Sequence, residues 1–226
     1  ESFFVDEPDI LELSSLDENV DCFGNSTGEI DLDVQGGTEP YSYSWSNLSN
    51  QEDLTGVPSG SYIVDVVDNN GCSDSYSTVI EQPSQLILSN IDITNLICNN
   101  IANGEILITA IGGSPEYSYS IDGGYSSQSS NLFADLLAGN YNILVEDQNG
   151  CQIIDNITLT QPTQITISQE TIIDVIGCYG DPTGSIDVTI SDGVPPYTYQ
   201  WNYNGDLYNY TTPLILNLTG GSYELI

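Results

Sequence analysis

The chain has 226 residues, of which 33 are Asp or Glu and none is Lys, Arg or His, giving a formal net charge of −33. With no cation to neutralise phosphates, nucleic acid is excluded as a partner, and the same sign argues against an anionic membrane surface. Without His or Lys the chain cannot build a Ser-His-Asp, Cys-His or Ser-Lys nucleophile, a Schiff base, a Walker loop or a His-ligated metal site. What remains is a carboxylate-pair hydrolase, a cation-binding module, or a structural and adhesive protein. Hydrophobic residues make up 39%, with 15 Tyr, 4 Phe and 2 Trp, enough to fill a core despite the charge. No apolar run approaches the roughly 20 residues of a membrane span. No signal peptide opens the chain, so export is expected to be directed by sequence outside this window.

Read in chain order, Asp6-Glu7-Pro8 precedes Cys22 as Glu81-Gln82-Pro83 precedes Cys98. Cys22 then opens a pattern that recurs from Cys98 and Cys178. A Gly stands at +6 (Gly28, Gly104, Gly184), an Ile at +8 (Ile30, Ile106, Ile186) and a second Gly at +15 (Gly37, Gly113, Gly193). Tyrosines follow at +19 and +21 (Tyr41 and Tyr43, Tyr117 and Tyr119, Tyr197 and Tyr199), and Trp45, Ile121 or Trp201 at +23. Residues 29–34, 41–45, 141–146 and 185–190 alternate polar and apolar, which predicts strands. Gly36-Gly37, Gly112-Gly113, Asn70-Gly71 and Asn149-Gly150 predict the turns between them. Gly-x-Tyr (Gly60/Tyr62, Gly139/Tyr141, Gly221/Tyr223) precedes Asn-Gly-Cys at Cys72 and Cys151, and Pro83 and Pro162 follow 11 residues after those cysteines. Successive first cysteines are 76 and 80 residues apart.

About seven short strands in a unit of that length, with no helical period, predict tandem all-β, immunoglobulin-like sandwiches. The expected units are 9–83, 84–162 and 163–226, after the end of a preceding repeat at 1–8. The third is expected to lack its last strand, and the partner of Cys178 to lie beyond Ile226, in a longer array. The connections Gln82–Leu86 and Gln161–Ile165 carry Pro and no Gly/Ser-rich linker, which predicts a semi-rigid head-to-tail rod.

The ordered motifs C-x-G-x-x-x-G-x-I, G-G-x-x-P-Y-x-Y-x-W, G-x-Y-x-V-x-V-x-D-x-N-G-C and Q-P resemble the SprB repeat, which is distantly similar to PKD-type sandwiches. Ile121 departs from it where Trp is expected, Glu116 where Pro is, and Asn99-Asn100 lacks the early Gly. The resemblance implies a giant surface adhesin of Bacteroidota, exported by type IX secretion and carried along the cell in gliding motility. It also implies neighbouring repeats, an extracellular surface or polysaccharide, and the outer-membrane secretion and motility machinery as partners. It carries over no catalytic residue, so no enzyme is expected.

In a chain expected outside the cell, regularly placed cysteines favour disulfides. Pairing within repeats (Cys22–Cys72, Cys98–Cys151) is the default. The first cysteine, however, belongs to the pole between the first two strands, and the second to the hairpin at the other pole. Strands of six or seven residues separate the poles by roughly 20–24 Å, beyond the ~7 Å Cα reach of a disulfide. The alternative joins neighbouring repeats, Cys22 to Cys151, with Cys98 and Cys178 awaiting partners outside the window. Asp68 and Asp147, in Asp-x-Asn-Gly turns, are weak candidates for Ca2+, since a calcium loop needs a fuller ladder of oxygen ligands; a plain hairpin turn is the simpler reading. Asp31 and Asp33 form the kind of carboxylate pair glycoside hydrolysis needs, but alternation points them outward. Tyr41, Tyr43 and Trp45 share one strand face and read as core, whereas Tyr203, Tyr208 and Tyr210 read as an exposed patch in a loop. Five Asn-x-Ser/Thr triplets (Asn25, Asn47, Asn156, Asn209, Asn217) carry little weight in an Asn- and Ser-rich bacterial chain. The expected function is extended reach and surface attachment. The alternatives are a non-adhesive calcium-stiffened or S-layer-like stalk and a carbohydrate-binding module of a secreted enzyme.

Overall fold

The computed structural model describes residues 2, 3, 5–208 and 210–226, and every regular element among them is a β-strand. The first repeat holds β1 (Glu12–Glu18), β2 (Gly28–Gln35), β3 (Ser42–Trp45), β4 (Leu54–Val57), β5 (Gly60–Val67) and β6 (Ser73–Ile80). They pair antiparallel in two three-stranded sheets, β1-β2-β4 and β3-β5-β6. First, second and fourth strands on one side, and third, fifth and sixth on the other, is the partition of an immunoglobulin-like sandwich that has lost one strand after its third. The expected seven strands are therefore six. Only residues 46–53 separate β3 from β4, and turns use them: Leu48 N–H bonds the Trp45 carbonyl at 2.9 Å and Trp45 N–H the Ser49 carbonyl at 3.0 Å.

Alternation sets the core. Strand β2 buries Gly28, Ile30 and Leu32 while Glu29, Asp31 and Asp33 face solvent, and β5 buries Tyr62, Val64 and Val66. These meet Trp45, Leu54, Val57 and Ile80, with Tyr41, Tyr43 and Tyr76 packed against the cluster. Each fully buried aliphatic side chain stabilises the sandwich by about 1.5–3 kcal/mol over its exposed state. The polar ends of the aromatics are satisfied as well. Trp45 Nε1 donates to the Gln51 carbonyl at 2.8 Å. Tyr62 donates to the Pro58 carbonyl at 2.8 Å, closing the tyrosine corner, which here opens the fifth strand. Burial raises Tyr43 to about 12, helped by a hydrogen bond to Glu52. The tyrosines at +19 also brace the backbone. Tyr41, Tyr117 and Tyr197 each donate to the carbonyl five residues earlier, at 2.5, 2.6 and 2.6 Å. Those bonds close the glycine-bearing loop before the third strand. Gly36 and Gly112 in that loop have φ of +72° and +79°, and a Cβ there would lie 1.9 and 2.0 Å from the carbonyl oxygens of Ile10 and Gln85. Only glycine fits so close an approach.

The second repeat contains β7 (Ile87–Thr94), β8 (Gly104–Ile111), β9 (Ser118–Ser120), β10 (Leu132–Leu136), β11 (Gly139–Glu146) and β12 (Gln152–Leu159), ordered β10-β8-β7 and β12-β11-β9. The third contains β13 (Thr166–Ile173), β14 (Gly184–Ser191), β15 (Trp201–Tyr203), β16 (Asp206–Tyr208), β17 (Leu214–Leu218) and β18 (Tyr223–Leu225), ordered β13-β14-β17 and β16-β15-β18. In the first repeat β1 packs against β6, and the two share a polar seam in which Asp17 accepts hydrogen bonds from Ser15 and Thr78. The third repeat has no counterpart of β6 among the described residues, and every residue of β13 is exposed. The chain clusters into two compact units, Glu1–Asp92 with Leu107–Asn131 and Tyr141–Ile157, and Ile93–Ile106 with Leu132–Asn140 and Thr158–Ile226. Among the described residues no helix is long and apolar enough to cross a membrane.

Candidate functional site

The site is built by two local structures of the repeat. The first is the loop between first and second strands. After β1, Val20 N–H bonds the Glu81 carbonyl at 3.0 Å, tying the loop to the end of β6. Asp21 then turns the chain: its Oδ1 accepts from Cys22 N–H at 2.6 Å, Thr27 Oγ1 at 2.7 Å and Asn25 Nδ2 at 3.1 Å. The Thr27 hydroxyl first, and then the Asn25 amide, hold this carboxyl below its ordinary range. Gln82, of the Gln-Pro motif, reaches back so that its Oε1 accepts from Gly24 N–H at 2.8 Å; Gln161 does the same for Asn100 N–H at 2.8 Å. The cysteine is thus presented on a loop braced from both sides.

The second structure is the hairpin that carries the other cysteine. Asp68 and Asp147 are 5% and 4% exposed, and both carboxylates are consumed by backbone donors. Asp68 Oδ1 accepts from Asn70 and Cys72 N–H at 2.9 and 2.8 Å, and its Oδ2 from Thr38 N–H at 3.0 Å. Asp147 Oδ1 accepts from Asn149 and Cys151 N–H, both at 2.9 Å, and its Oδ2 from Ser114 N–H at 2.8 Å. Burial alone would raise Asp68, but the N–H groups of Cys72, Thr38, Asn70 and Gly71 outweigh it and hold the carboxyl low. These aspartates fix the hairpin and the direction of its cysteine. Among the described residues no three His, Cys, Asp or Glu side chains are grouped to hold a metal ion.

The loop of the first repeat and the hairpin of the second meet. Cys22 and Cys151 form a disulfide with Cα atoms 5.7 Å apart, 129 residues apart in sequence. Beside it Asn149 Nδ2 donates to the Asp21 carbonyl at 2.9 Å, and Phe23 lines the same groove as Leu86 and Gln85. The alternative pairings Cys22–Cys72 and Cys98–Cys151 do not form. All eight residues of β6 lie between Cys72 and Glu81, the neighbour of the Cys22 loop, which is roughly 25 Å of strand. Cys151 is already taken by Cys22. Cys72, Cys98 and Cys178 are free and exposed.

Asp31 and Asp33 are exposed on the outer face of β2. Tyr203 and Tyr210 do not form an exposed patch. Asn204-Gly205 turns the chain into the β15–β16 hairpin, so the stretch is a strand pair and not a loop. Tyr203 stacks on Tyr223 with ring centroids 4.8 Å apart, and Tyr210 packs on the cluster around Trp201. The Tyr208 side chain and Asn209 lie outside the described residues. Two features of the structure fall outside the sequence expectations. One is the bracing by Gln82 and Gln161. The other stands where the second repeat lacks Trp: Asp122 accepts from Ser126 N–H at 3.0 Å and from the hydroxyls of Ser126 and Ser120 at 2.6 and 2.7 Å. Led by the Ser126 hydroxyl, these bonds push the Asp122 carboxyl far below its ordinary range. The spacing Ser120-x-Asp122-x-Gly124 is the clue the sequence offers to it.

This arrangement joins one repeat to the next through the Cys22–Cys151 disulfide. The class is a tandem array of immunoglobulin-like sandwiches with a covalent junction. The SprB repeat family model matches residues 18–50, 90–125 and 174–206. Three segments of this chain thus match the SprB repeat, and the match points to the cell surface. No curated protein matches the chain. Among solved structures, the three N-terminal domains of the outer capsid protein Hoc of bacteriophage RB49 align with a TM-score of 0.44 at 16% identity, covering 93% of this chain and 82% of that one. Titin domains I67–I69 align with a TM-score of 0.41 at 15% identity over 96% and 92%. Domains 4–9 of surface layer protein SbsC align with a TM-score of 0.29 at 10% identity over 97% and 45%.

Proposed function

We propose that this chain is a repeat segment, in units 9–83, 84–162 and 163–226, of a secreted cell-surface adhesin of Bacteroidota. In this reading it provides reach and surface attachment in gliding motility after export by type IX secretion. It is not an enzyme, and it works by mechanical continuity: each repeat hands load to the next. The observation that carries the reading is the Cys22–Cys151 disulfide across a junction between SprB repeats, the place where a load-bearing array would otherwise part. Its extracellular partner is a polysaccharide or another solid surface, and its outer-membrane partner is the secretion and motility machinery. The test has two arms. Beads coated with the purified chain should be retained on polysaccharide-coated surfaces at physiological salt. On gliding cells that produce the protein, a labelled antibody to the chain should travel along the cell surface. Beads that bind nothing, with a label that stays fixed on moving cells, would overturn the reading.

A further inference from the structure

The chain contains Asn-Gly pairs at Asn70, Asn103, Asn149 and Asn204. In such a pair asparagine is chemically weak, because glycine has no Cβ to keep its backbone nitrogen away from the asparagine side-chain carbonyl carbon. Asn70 Nδ2 donates to Thr38 Oγ1 at 2.9 Å, Asn103 Oδ1 accepts from Ile97 N–H at 3.3 Å, and Asn204 Oδ1 accepts from Ser222 N–H at 3.0 Å. Asn149 instead crosses to the Cys22 loop of the first repeat, where its Nδ2 donates to the Asp21 carbonyl at 2.9 Å. Two residues further on stands Cys151, the cysteine bonded to Cys22.

Two holds restrain the Asn149-Gly150 pair. The first is the hairpin itself. Gly150 N–H bonds the Asp147 carbonyl at 3.0 Å and Asn149 N–H bonds Asp147 Oδ1 at 2.9 Å, so the glycine nitrogen is turned towards Asp147. The second is the junction: the bond to Asp21 fixes the amide, and the Cys22–Cys151 disulfide keeps that loop in place. Packing adds no third. Asn149 and Gly150 are exposed to water, and a Cβ on Gly150, whose φ is +80°, would meet nothing within 4 Å. The hairpin of the first repeat repeats the first hold, with Gly71 N–H on the Asp68 carbonyl at 3.1 Å and Asn70 N–H on Asp68 Oδ1 at 2.9 Å. The Asn70 amide is bonded by Thr38 and not through the disulfide, so Asn70 serves as a reference for the hairpin alone.

We propose that Asn149 is a deamidation site gated by the Cys22–Cys151 disulfide, and that its conversion weakens the junction. The Gly150 nitrogen loses its proton to solvent and attacks Asn149 Cγ. A C–N bond forms, the Cγ–Nδ2 bond breaks, and Nδ2 leaves as ammonia. Water then opens the resulting succinimide at one of its carbonyls, giving aspartate or isoaspartate. One water is consumed and one ammonia released, with no oxidation or reduction. Either product has a carboxylate in place of the amide. It offers no N–H to the Asp21 carbonyl, and its negative charge faces that oxygen on a residue that is itself anionic. Isoaspartate also adds a carbon to the backbone just before Gly150 and Cys151, displacing the cysteine. The step runs one way: a junction opened by reduction loses the amide with time and recloses less firmly. The proposal does not rest on the adhesin reading.

For the test, the purified chain is incubated in mildly alkaline buffer in oxidised form, in reduced form and as Cys22→Ser. Deamidation at each asparagine is followed by peptide mapping with a protease that cuts at acidic residues. Asn149 should react roughly 2- to 12-fold faster in the reduced chain and in Cys22→Ser than in the oxidised chain, the factor carried by one hydrogen bond of about 0.5–1.5 kcal/mol. Asn70 should react at one rate in all three. Equal rates at Asn149, or an acceleration that Asn70 shares, would overturn the gating, the second by showing that reduction loosens hairpins generally. A further arm uses Asn149→Asp equilibrated in a glutathione redox buffer. Its equilibrium constant for closing Cys22–Cys151 should fall by at least the same factor as the rate rises. An unchanged constant would overturn the weakening of the junction. Asn149 is exposed, and the N–H groups bonded to Asp147 are retained in this variant, so the hairpin should fold as before.

Discussion

Pulling the chain by its ends separates the Cys22–Cys151 pairing from pairing within a repeat by length. With Cys22 and Cys151 joined, the chain between them, a sequence separation of 129, cannot be extended after the domains unfold. At about 3.5 Å per residue that segment hides about 450 Å of contour length. Reduction, or the substitution Cys22→Ser, should release that length in full, read in optical tweezers as the difference in total extension between oxidised and reduced molecules. Pairing within a repeat would hide only the 50 residues from Cys22 to Cys72 or the 53 from Cys98 to Cys151, about 180 Å for one bond. The same loop should lower the entropy of the unfolded chain enough to stabilise the oxidised form by up to about 5 kcal/mol, so the reduced protein should melt at lower temperature. An oxidised molecule that extends as far as the reduced one, or a difference near 180 Å, would refute a load path through Cys22 and Cys151.

Acid should weaken the fold through Asp21, Asp68 and Asp122. Their folded-state pKa values lie below those of the unfolded chain, so their contribution is present above about pH 4 and is lost as pH falls below it. Thermal melts between about pH 6 and pH 2 should show this loss, and Asp122→Asn should flatten it. At the alkaline end, Tyr43 is raised to about 12, so its contribution is complete below about pH 10 and disappears as pH rises towards 12. Sodium chloride should raise the melting temperature by screening 33 like charges. Calcium should add no saturable increment beyond its ionic strength, because the Asp68 and Asp147 oxygens are already bonded by backbone N–H groups; a saturable calcium effect lost in Asp68→Asn would contradict this.

Where periodicity and packing agree, the fold is legible in the sequence. The two-residue alternation of 29–34 places Ile30 and Leu32 inward with no further information, and the Tyr-x-Tyr-x-Trp strand buries Trp45 for the same reason. The junction is legible in a different way. Strand length alone puts Cys22 and Cys72 at opposite poles, so the direction of any linkage follows from how far a strand reaches. What the sequence does not show depends on side chains turning back over long loops. Nothing in the spacing of Gln82 announces that its amide oxygen caps Gly24. The loss of Trp at Ile121 does not reveal that Ser120, Asp122 and Ser126 tie the loop instead. Tyr203 reads as a loop residue only while Asn204-Gly205 goes uncounted as a hairpin signal; counted as one, it turns that stretch into the strand pair the structure contains.

The disulfide also changes what a protease can achieve. A single cut anywhere between Cys22 and Cys151 leaves the two fragments covalently attached, so one nick does not release the outer piece. Because the chain offers no Lys or Arg, trypsin-like enzymes find no bond to cut in any case. For proteases of other specificity, severing this segment between those two cysteines requires a reductant as well as a cut.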